Sequence, residues 1–188
     1  GTRFSSHIVQ KFGMNNCLQD NHLTVKLAGS AGQSLGAFAT RGLKLEVTGD
    51  ANDYVGKGLS GGMITVRPAL ASRLVAADNT IIGNTVLYGA TAGFLFAAGR
   101  AGERFAVRNS GAKVVIEGCG SNGCEYMTGG VAVILGTIGA NFGAGMTGGM
   151  AYLYDLDKTA MSHLNLETIV TCPVTVGHWR MQLQDLIE

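Results

Sequence analysis

Three glycine-rich segments have the spacing of a nucleotide-binding loop. Residues 56–61, 118–123 and 143–148 each match G-x-G-x-x-G, with which a βαβ unit places a pyrophosphate at a helix N-terminus. That chemistry requires a helix after the last glycine. Gly61 and Gly148 lead instead into short apolar runs typical of strands. We therefore attribute the three matches to a structural repeat and predict no nucleotide site.

A second motif suggests nucleophilic catalysis. Residues 58–62 (Gly-Leu-Ser-Gly-Gly) match the G-x-S-x-G nucleophile elbow, which needs a sharp turn from a strand into a helix. Here a strand-like run follows, and Ser60 has counterparts at Thr128 and Thr147 in similar strings. A hydroxyl repeated in this way is more simply a group that bonds nearby backbone. A hydrolase is not predicted.

Polar oxygen ligands cluster at residues 49–54. Asp50, Asn52 and Asp53 are the residue types that bind a hard cation, but the sequence does not show three oxygens converging. The same residues are favoured in turns, where their side chains bond nearby backbone. We prefer turn or interface hydrogen bonding and keep a cation site as the alternative.

The spacing of the four cysteines does not indicate a metal site. They are Cys17, Cys119, Cys124 and Cys172, and the closest pair has the spacing C-x4-C, which fits no common zinc pattern. Free thiols in a reducing compartment are predicted.

An internal repeat must position all of these residues. Residues 60–66, 128–134 and 147–153 match one another closely, residues 91–96 and 110–116 match more loosely, and residues 21–27 and 41–47 match only the strand half. The first strand residues of the copies are Leu23, Leu43, Met63, Phe94, Lys113, Val131 and Met150. Their intervals are 20, 20, 31, 19, 18 and 19 residues, and the long one contains a predicted surface insertion at residues 68–78.

A period this short, with one strand per copy, predicts a β-solenoid whose strands stack in parallel about 4.8 Å apart. The glycines before each strand are predicted to form corners at positive φ, where a side chain is disfavoured. The predicted corner glycines are Gly56, Gly58, Gly61, Gly62, Gly93, Gly111, Gly129, Gly130, Gly148 and Gly149. The repeat thus indicates an all-β fold of about seven coils.

The chain ends differ from the repeat. Phe4, Ile8 and Phe12 recur at helical spacing before Gly13, and Trp179, Leu183, Leu186 and Ile187 form a second helical stripe. Helical segments at both ends would cap the open strand edges. We predict a β-helix domain at residues 1–155 and a tail with a short amphipathic helix at residues 156–188.

Composition points to a domain that packs against neighbours. Charged residues are 14% of the chain, against about 25% in ordinary soluble domains. A net charge of +1 without a basic stripe argues against nucleic acid. Residues 126–154 carry no charge, yet they contain two copies of the repeat, so no membrane span is predicted. Their outward apolar face is expected to be covered by another domain, or by self-association when the chain is isolated.

Residues 49–62 resemble the C-terminal GXGXG domain of the glutamate synthase large subunit. The resemblance continues through residues 29–34, 82–85, 87–91, 102–111 and 124–130, and covers about residues 5–155. It implies a single-stranded, right-handed parallel β-helix that packs against other domains of a cytoplasmic enzyme. In that family glutamine, 2-oxoglutarate and a reductant give two glutamates. An amidotransferase domain releases ammonia, and FMN and an iron–sulfur cluster serve the second reaction.

The resemblance implies a structural, interdomain role without catalysis in this domain. The motifs for the nucleophile, FMN and cluster are absent from this sequence, so no catalytic, cofactor-binding or metal residue is assigned. Partners would be the amidotransferase and FMN-binding domains and a small NAD(P)H-oxidising subunit. The interdomain contacts are expected at Asp50, Asn52, Asp53, Tyr54, Arg108, Asn109, Glu125 and Tyr126. The alternative is a β-helix from another multi-subunit oxidoreductase, such as the small β-helix subunit of formylmethanofuran dehydrogenase.

Overall fold

The structure, a computed structural model, describes residues 1–13 and 18–187. Two helices flank the strands: α1 (Thr2–Phe12) and α2 (Gly177–Ile187). The strands are β1 (Leu23–Ser30), β2 (Leu43–Asp50), β3 (Ser60–Arg67), β4 (Thr80–Ile82), β5 (Ala92–Ala101), β6 (Ser110–Cys119), β7 (Thr128–Ile134) and β8 (Gly148–Leu153). Short 3₁₀ helices occupy Ala76–Asp78 and Ala160–His163. The predicted all-β class with short helices at the ends is confirmed.

The strands stack in chain order, as a solenoid requires. All pairings between these strands are parallel, in the order β1-β2-β3-β5-β6-β7-β8, and β4 pairs with β5 off this path. About seven turns result, as predicted. Five of the six predicted alignments between successive copies hold; Lys113, for example, pairs with Val131.

The sixth alignment is wrong by one residue. Lys44, not Leu43, pairs with Met63. The buried residues explain the shift, because Leu45 lies beside Ile64 and both face the core. The predicted register would place these side chains on opposite faces, since the side-chain period of a strand is two.

The long interval between copies is a surface insertion, as predicted. After β3 ends at Arg67 the chain leaves the wall of the solenoid, and residues 69–75 are exposed. β4 then rejoins the wall, where Ile82 bridges to Ala51 and pairs with Ala101. The insertion therefore interrupts one coil without changing the stacking of its neighbours.

The core is a set of columns that run along the solenoid. One column contains Ile64, Leu95, Val114 and Ala132, each fully buried and each paired with the next. Because alternate residues of a strand point to opposite faces, a second inward column forms two residues further along each strand. Each buried aliphatic side chain contributes about 1.5–3 kcal/mol, so the columns hold the coils together.

The outward face of the last strands is covered by the chain's own C-terminal helix. Val131, Val133 and Tyr152 are buried against α2, chiefly beside Leu186. Trp179, Leu183 and Met150 complete this cluster, and the Tyr152 hydroxyl donates to Gln182 Oε1 at 2.5 Å. The expectation that another domain or a second copy covers this face is therefore wrong for Val131, Val133 and Tyr152, whereas Leu135 and Tyr154 remain exposed.

Two features of the uncharged segment follow from the same strands. Ala132 and Ala151 both pack with the core and not on the outer face. Among the described residues no helix is long and apolar enough to cross a bilayer. Residues 126–154 form β7, β8 and the turn between them.

Helix α1 packs against the first coils through a narrow stripe. Ile8 is buried, whereas Phe4 and Phe12 remain 47% and 39% exposed. The Ser5 hydroxyl accepts a hydrogen bond from Thr40 N at 3.2 Å. The predicted stripe thus contributes one anchor residue, and a serine missed by the sequence pattern ties the helix to the wall.

The glycines before the strands are of two kinds. Gly61, Gly93, Gly130 and Gly149 have positive φ, as predicted, and so do Gly56 and Gly58 upstream. The prediction of positive φ is wrong for Gly62, Gly111, Gly129 and Gly148. At these the reason for glycine is close packing: a Cβ at Gly129 would overlap the carbonyl oxygen of Ser110 on the preceding coil.

A pair of alanine substitutions separates the two causes. Gly129→Ala should lower the free energy of unfolding by about 3 kcal/mol, because the added Cβ meets backbone that cannot move. Gly89→Ala should cost only about 1 kcal/mol, since Gly89 has φ +63 but no heavy atom within 4 Å of the added Cβ. Urea unfolding of both variants measures the difference. Equal losses would contradict the packing explanation.

Candidate functional site

The turn before each of β2, β3, β5, β6, β7 and β8 contains three left-handed residues at alternate positions. In six successive coils these are Ser34, Gly36, Phe38; Tyr54, Gly56, Gly58; Thr85, Leu87, Gly89; Arg104, Ala106, Arg108; Asn122, Cys124, Tyr126; and Asn141, Gly143, Gly145. We call this turn the corner. A left-handed residue with a side chain costs about 1–2 kcal/mol, so twelve non-glycine positions need compensation.

Hydrogen bonds between coils supply that compensation. The first and third residues of a corner donate to the next coil: Arg108 N, for example, donates to Glu125 O at 2.9 Å. The middle residue donates to the preceding coil, as Cys124 N does to Phe105 O at 2.7 Å. The four inner corners, at residues 54–58, 85–89, 104–108 and 122–126, are thus bonded on both sides, and their unusual backbone is fixed by their neighbours.

The alternation also sorts side chains. The middle residues are buried, among them Leu87, Ala106 and Cys124. The first and third residues point outward and, together with the half-buried Glu125, form a surface that we call the corner face: Phe38, Tyr54, Arg104, Arg108, Glu125 and Tyr126. Sequence reasoning placed Gly56 and Gly58 at a corner, but in the other coils it placed the turns at the strand-start glycines and missed this corner. The available signal was the G-x-G spacing at residues 56–58 and 143–145.

Two aromatic rings of the corner face lie over glycines of the next coil. A Cβ at Gly58 would be 2.6 Å from the Phe38 ring, and a Cβ at Gly145 would overlap the Tyr126 ring. Both rings remain about half exposed, at 51% and 53%. Glycine at these two corners therefore leaves room for a flat, exposed aromatic surface.

The charged groups of the corner face are only partly paired. Arg104 Nε donates to Glu125 Oε2 at 2.9 Å. Lys57 Nζ lies 5.6 Å from the centre of the Tyr54 ring. Arg108 is exposed, and no carboxylate of the described chain forms an ion pair with it. Exposed arginine and aromatic residues on one surface are a composition typical of protein interfaces.

Four of the predicted contact residues belong to this face: Tyr54, Arg108, Glu125 and Tyr126. Asn109 does not belong with them, because it has no exposed surface. Its Oδ1 accepts from Gly111 N and Ala112 N, and its Nδ2 donates to Ala112 O at 3.0 Å. Asn109 therefore holds the start of β6 and cannot contact another domain.

The remaining predicted contacts, Asp50, Asn52 and Asp53, lie at the end of β2. They line a cavity of about 520 Å³ beneath the insertion. Asp53 Oδ1 accepts from Asn84 N at 2.8 Å and Asp50 Oδ1 accepts from the Ser30 hydroxyl at 2.7 Å, both across coils. Within residues 1–13 and 18–187, no group of three or more His, Cys, Asp or Glu side chains is placed to hold a metal.

An asparagine ladder at the corner was not predicted from the sequence. Asn141 Nδ2 donates to Asn122 Oδ1, and Asn165 Nδ2 donates to Asn141 Oδ1, both at 2.8 Å. The regular spacing of the first two asparagines in the repeat was the available signal. The ladder shows that the chain after β8 begins a further coil.

Three cysteines are free thiols, as predicted, and Cys17 lies outside the described residues. Burial raises the pKa of the Cys119 thiol to about 12 and raises the pKa of Cys124 well above its ordinary value. Cys172 is exposed. Buried neutral thiols of this kind pack as small apolar groups and are poor nucleophiles.

The family of the chain follows from comparison with known sequences. A family model described as the GXGXG motif matches residues 1–188. The chain belongs to the GXGXG family. The name fits the corner, where Gly56-Lys57-Gly58 supplies two left-handed residues of one coil.

Similar proteins are glutamate synthases with different electron donors in their names. The chain is 69% identical over 188 residues to the glutamate synthase [NADPH] large chain of Azospirillum brasilense. It is 52% identical over 187 residues to ferredoxin-dependent glutamate synthase 2 of Synechocystis, and 50% identical over 188 residues to glutamate synthase [NADH] of Schizosaccharomyces pombe. The matches include essentially the whole chain but only 12%, 12% and 9% of the three relatives.

The role of Asn109 can be tested by truncation. Asn109→Ala should lower the free energy of unfolding by about 3 kcal/mol, because it leaves buried N–H and C=O groups of β6 without partners. Asn165→Ala is the control: its side-chain bonds lie near solvent, so a loss below about 1 kcal/mol is expected. Denaturant unfolding checks both values, and equal losses would refute a special role for Asn109.

The thiol environments predict reactivity. In a Cys17→Ser background at pH 8, a thiol reagent should label Cys172 at once. Cys119 and Cys124 should react only after unfolding, because burial disfavours their thiolates. Mass spectrometry of digested protein identifies the labelled cysteines. Rapid labelling of Cys119 in the folded chain would contradict the structure.

Proposed function

We propose that this chain is a non-catalytic interdomain scaffold within a glutamate synthase large chain. The observation that carries the proposal is the corner face, an exposed aromatic and arginine surface on backbone fixed by hydrogen bonds between coils. Family membership and the identity to glutamate synthase large chains support it. The reaction of the parent enzyme would be conversion of glutamine, 2-oxoglutarate and a reductant to two glutamates.

The corner face suits a scaffold because its side chains are held at fixed separations. Parallel coils stack about 4.8 Å apart, so a partner meets residues on successive coils in a constant register. Holding bulky residues in the left-handed region costs free energy, as at Phe38, Arg108 and Tyr126. Folding alone does not require bulky outward side chains at these positions, whereas a binding surface does.

The partners and cofactors follow from the family. The corner face would contact the amidotransferase or FMN-binding domain, with a small NAD(P)H-oxidising subunit as a further partner of the enzyme. FMN and an iron–sulfur cluster would lie in those other parts, in a cytoplasmic enzyme. Asp50, Asn52 and Asp53 would add a second contact at the mouth of their cavity.

The two segments of the chain would share this role. Residues 1–155 would be the scaffold unit, and residues 156–188 would cover its last coils. In isolation, the exposed rings of Phe38 and Tyr126 would favour self-association, because their partner surface is missing.

The proposal predicts a selective defect in the full-length enzyme. Arg108→Glu reverses the exposed charge on the corner face and keeps a long side chain in the same backbone conformation. Glutamine-dependent glutamate synthesis should fall roughly fivefold relative to ammonia-dependent synthesis, since a shifted contact impairs transfer between domains. The ratio of the two activities is the measurement.

Arg180→Glu is the matched control, because Arg180 is exposed on α2 and belongs neither to the corner face nor to the lining of the Asp50 cavity. It should leave the activity ratio unchanged. The same thermal midpoint for both variants would exclude misfolding as the cause. An unchanged ratio for Arg108→Glu would count against the corner face as the interdomain contact.

A further inference from the structure

A groove lies beside the last strand, at the open end of the sheet. β8 pairs with β7 on one side only. Along its other edge is a cavity of about 670 Å³, between residues 146–153 and residues 168–174. Its lining is largely apolar and includes Met146, Leu153, Met161, Leu164 and Ile169.

The groove exists because a further coil begins but does not finish. Leu164 bridges to Phe142, and the Thr168 hydroxyl donates to Gly143 O at 3.0 Å, so this segment stacks on the last corner. No strand then forms against β8 within the described chain. Residues 170–174 instead form the far wall of the groove, and α2 follows on the outer face.

The free edge of β8 presents unused backbone groups. Tyr154 N donates to Ile134 O, so the backbone N–H and C=O groups of the even-numbered residues, Tyr152 and Tyr154, face β7. Because alternate residues turn their backbone groups to opposite neighbours, the N–H and C=O of Ala151 and Leu153 face the groove. Their side chains pack with the core, so both residues are firmly placed.

At the last corner, residues 141–145, a backbone N–H that forms a hydrogen bond in the earlier corners is also without an acceptor among the described residues. Phe38, Gly58, Gly89, Arg108 and Tyr126, the third residues of the earlier corners, all donate their N–H to the next coil. The N–H of Gly145, the equivalent in the last corner, has no acceptor within residues 1–13 and 18–187. The last corner and β8 therefore both lack a hydrogen-bonding partner on the side where the next coil would stack.

We propose that this groove binds an extended segment from the rest of the glutamate synthase polypeptide as a further parallel strand beside β8. The inference rests on the proposed function. The match covers 12% of the glutamate synthase [NADPH] large chain of Azospirillum brasilense, so a parent polypeptide of that kind would supply the docking segment. A strand is the occupant that matches these groups, because it continues the ladder of β7 and β8. A helix has its backbone groups bonded internally and cannot do so.

The chemistry of the occupant follows from the walls of the groove. Inward side chains of the docked strand would lie beside Ala151 and Leu153, in line with the aliphatic core columns. Outward side chains would lie near Met150 and Trp179. The docked segment is therefore extended. Its inward side chains, at alternate positions, are apolar and uncharged.

Hydrogen exchange of the full-length enzyme tests whether the edge is paired. Fragmentation mass spectrometry of the peptide containing β8 should show Ala151 and Leu153 amides protected at least tenfold over unstructured rates. Tyr152 and Tyr154 are internal references, because their amides face β7. Protection of Tyr152 and Tyr154 with unprotected Ala151 and Leu153 would overturn the proposal.

Cross-linking identifies the occupant. With Thr147, which lines the groove, replaced by photoreactive p-benzoylphenylalanine, the main cross-link should join position 147 to a segment outside residues 1–188. Cross-links only to residues 170–176, only to a second copy distinguished by isotope labelling, or to nothing, would each overturn the proposal.

A matched pair of prolines tests the geometry. Ala151→Pro removes the N–H that faces the groove, and the cross-link yield should fall at least tenfold. Ala28→Pro is the control, since Ala28 is exposed and its N–H faces the outer edge of β1 at the opposite end. It should leave the yield unchanged. An equal yield for Ala151→Pro would overturn parallel pairing.

The two proposals fail separately. An unchanged activity ratio for Arg108→Glu with a protected, cross-linked β8 edge would remove the corner face as the interdomain contact but leave the docked strand. An unprotected β8 edge with the expected change in activity ratio would do the reverse.

Discussion

Backbone hydrogen bonds between successive coils are the constraint on which the rest of the molecule depends. They form a parallel ladder at the strands and a second ladder at the corners, where each coil bonds to the one before and the one after. A coil that slipped by one residue would break both ladders and turn its core side chains outward. Register is therefore fixed along the whole solenoid, and the left-handed corner residues are stable only within it.

This rigidity explains where function enters. The interior of the described chain is filled with aliphatic columns and neutral thiols. The outward corner residues, in contrast, can vary without loss of the ladder, because their backbone bonds do not depend on the side chain. Phe38, Tyr54, Arg108 and Tyr126 occupy such positions. In the proposed role, the chain would recognise its partners through the spacing of its coils.

The ends of the solenoid raise a different problem, because an edge strand exposes unpaired backbone groups. Helix α1 packs on the first coils through Ile8, and α2 covers the outer face of β7 and β8. Helix α2 reaches the groove through Trp179, but neither helix pairs with the free edge of β8. That edge and the unused N–H of Gly145 are where we propose that another segment docks.

The sequence by itself determined the repeat, the number of coils, the insertion and the helical ends, because apolar periodicity and glycine spacing are local signals. It placed five of six strand alignments correctly, and Phe94 beside Lys113 is one example. It did not determine the register at Leu43, the burial of Asn109 or the cover over Val133. Those features depend on contacts between residues about 20 to 55 positions apart. Only the tertiary structure decided them, since a side chain's face and a left-handed corner are set by the coil that stacks against it.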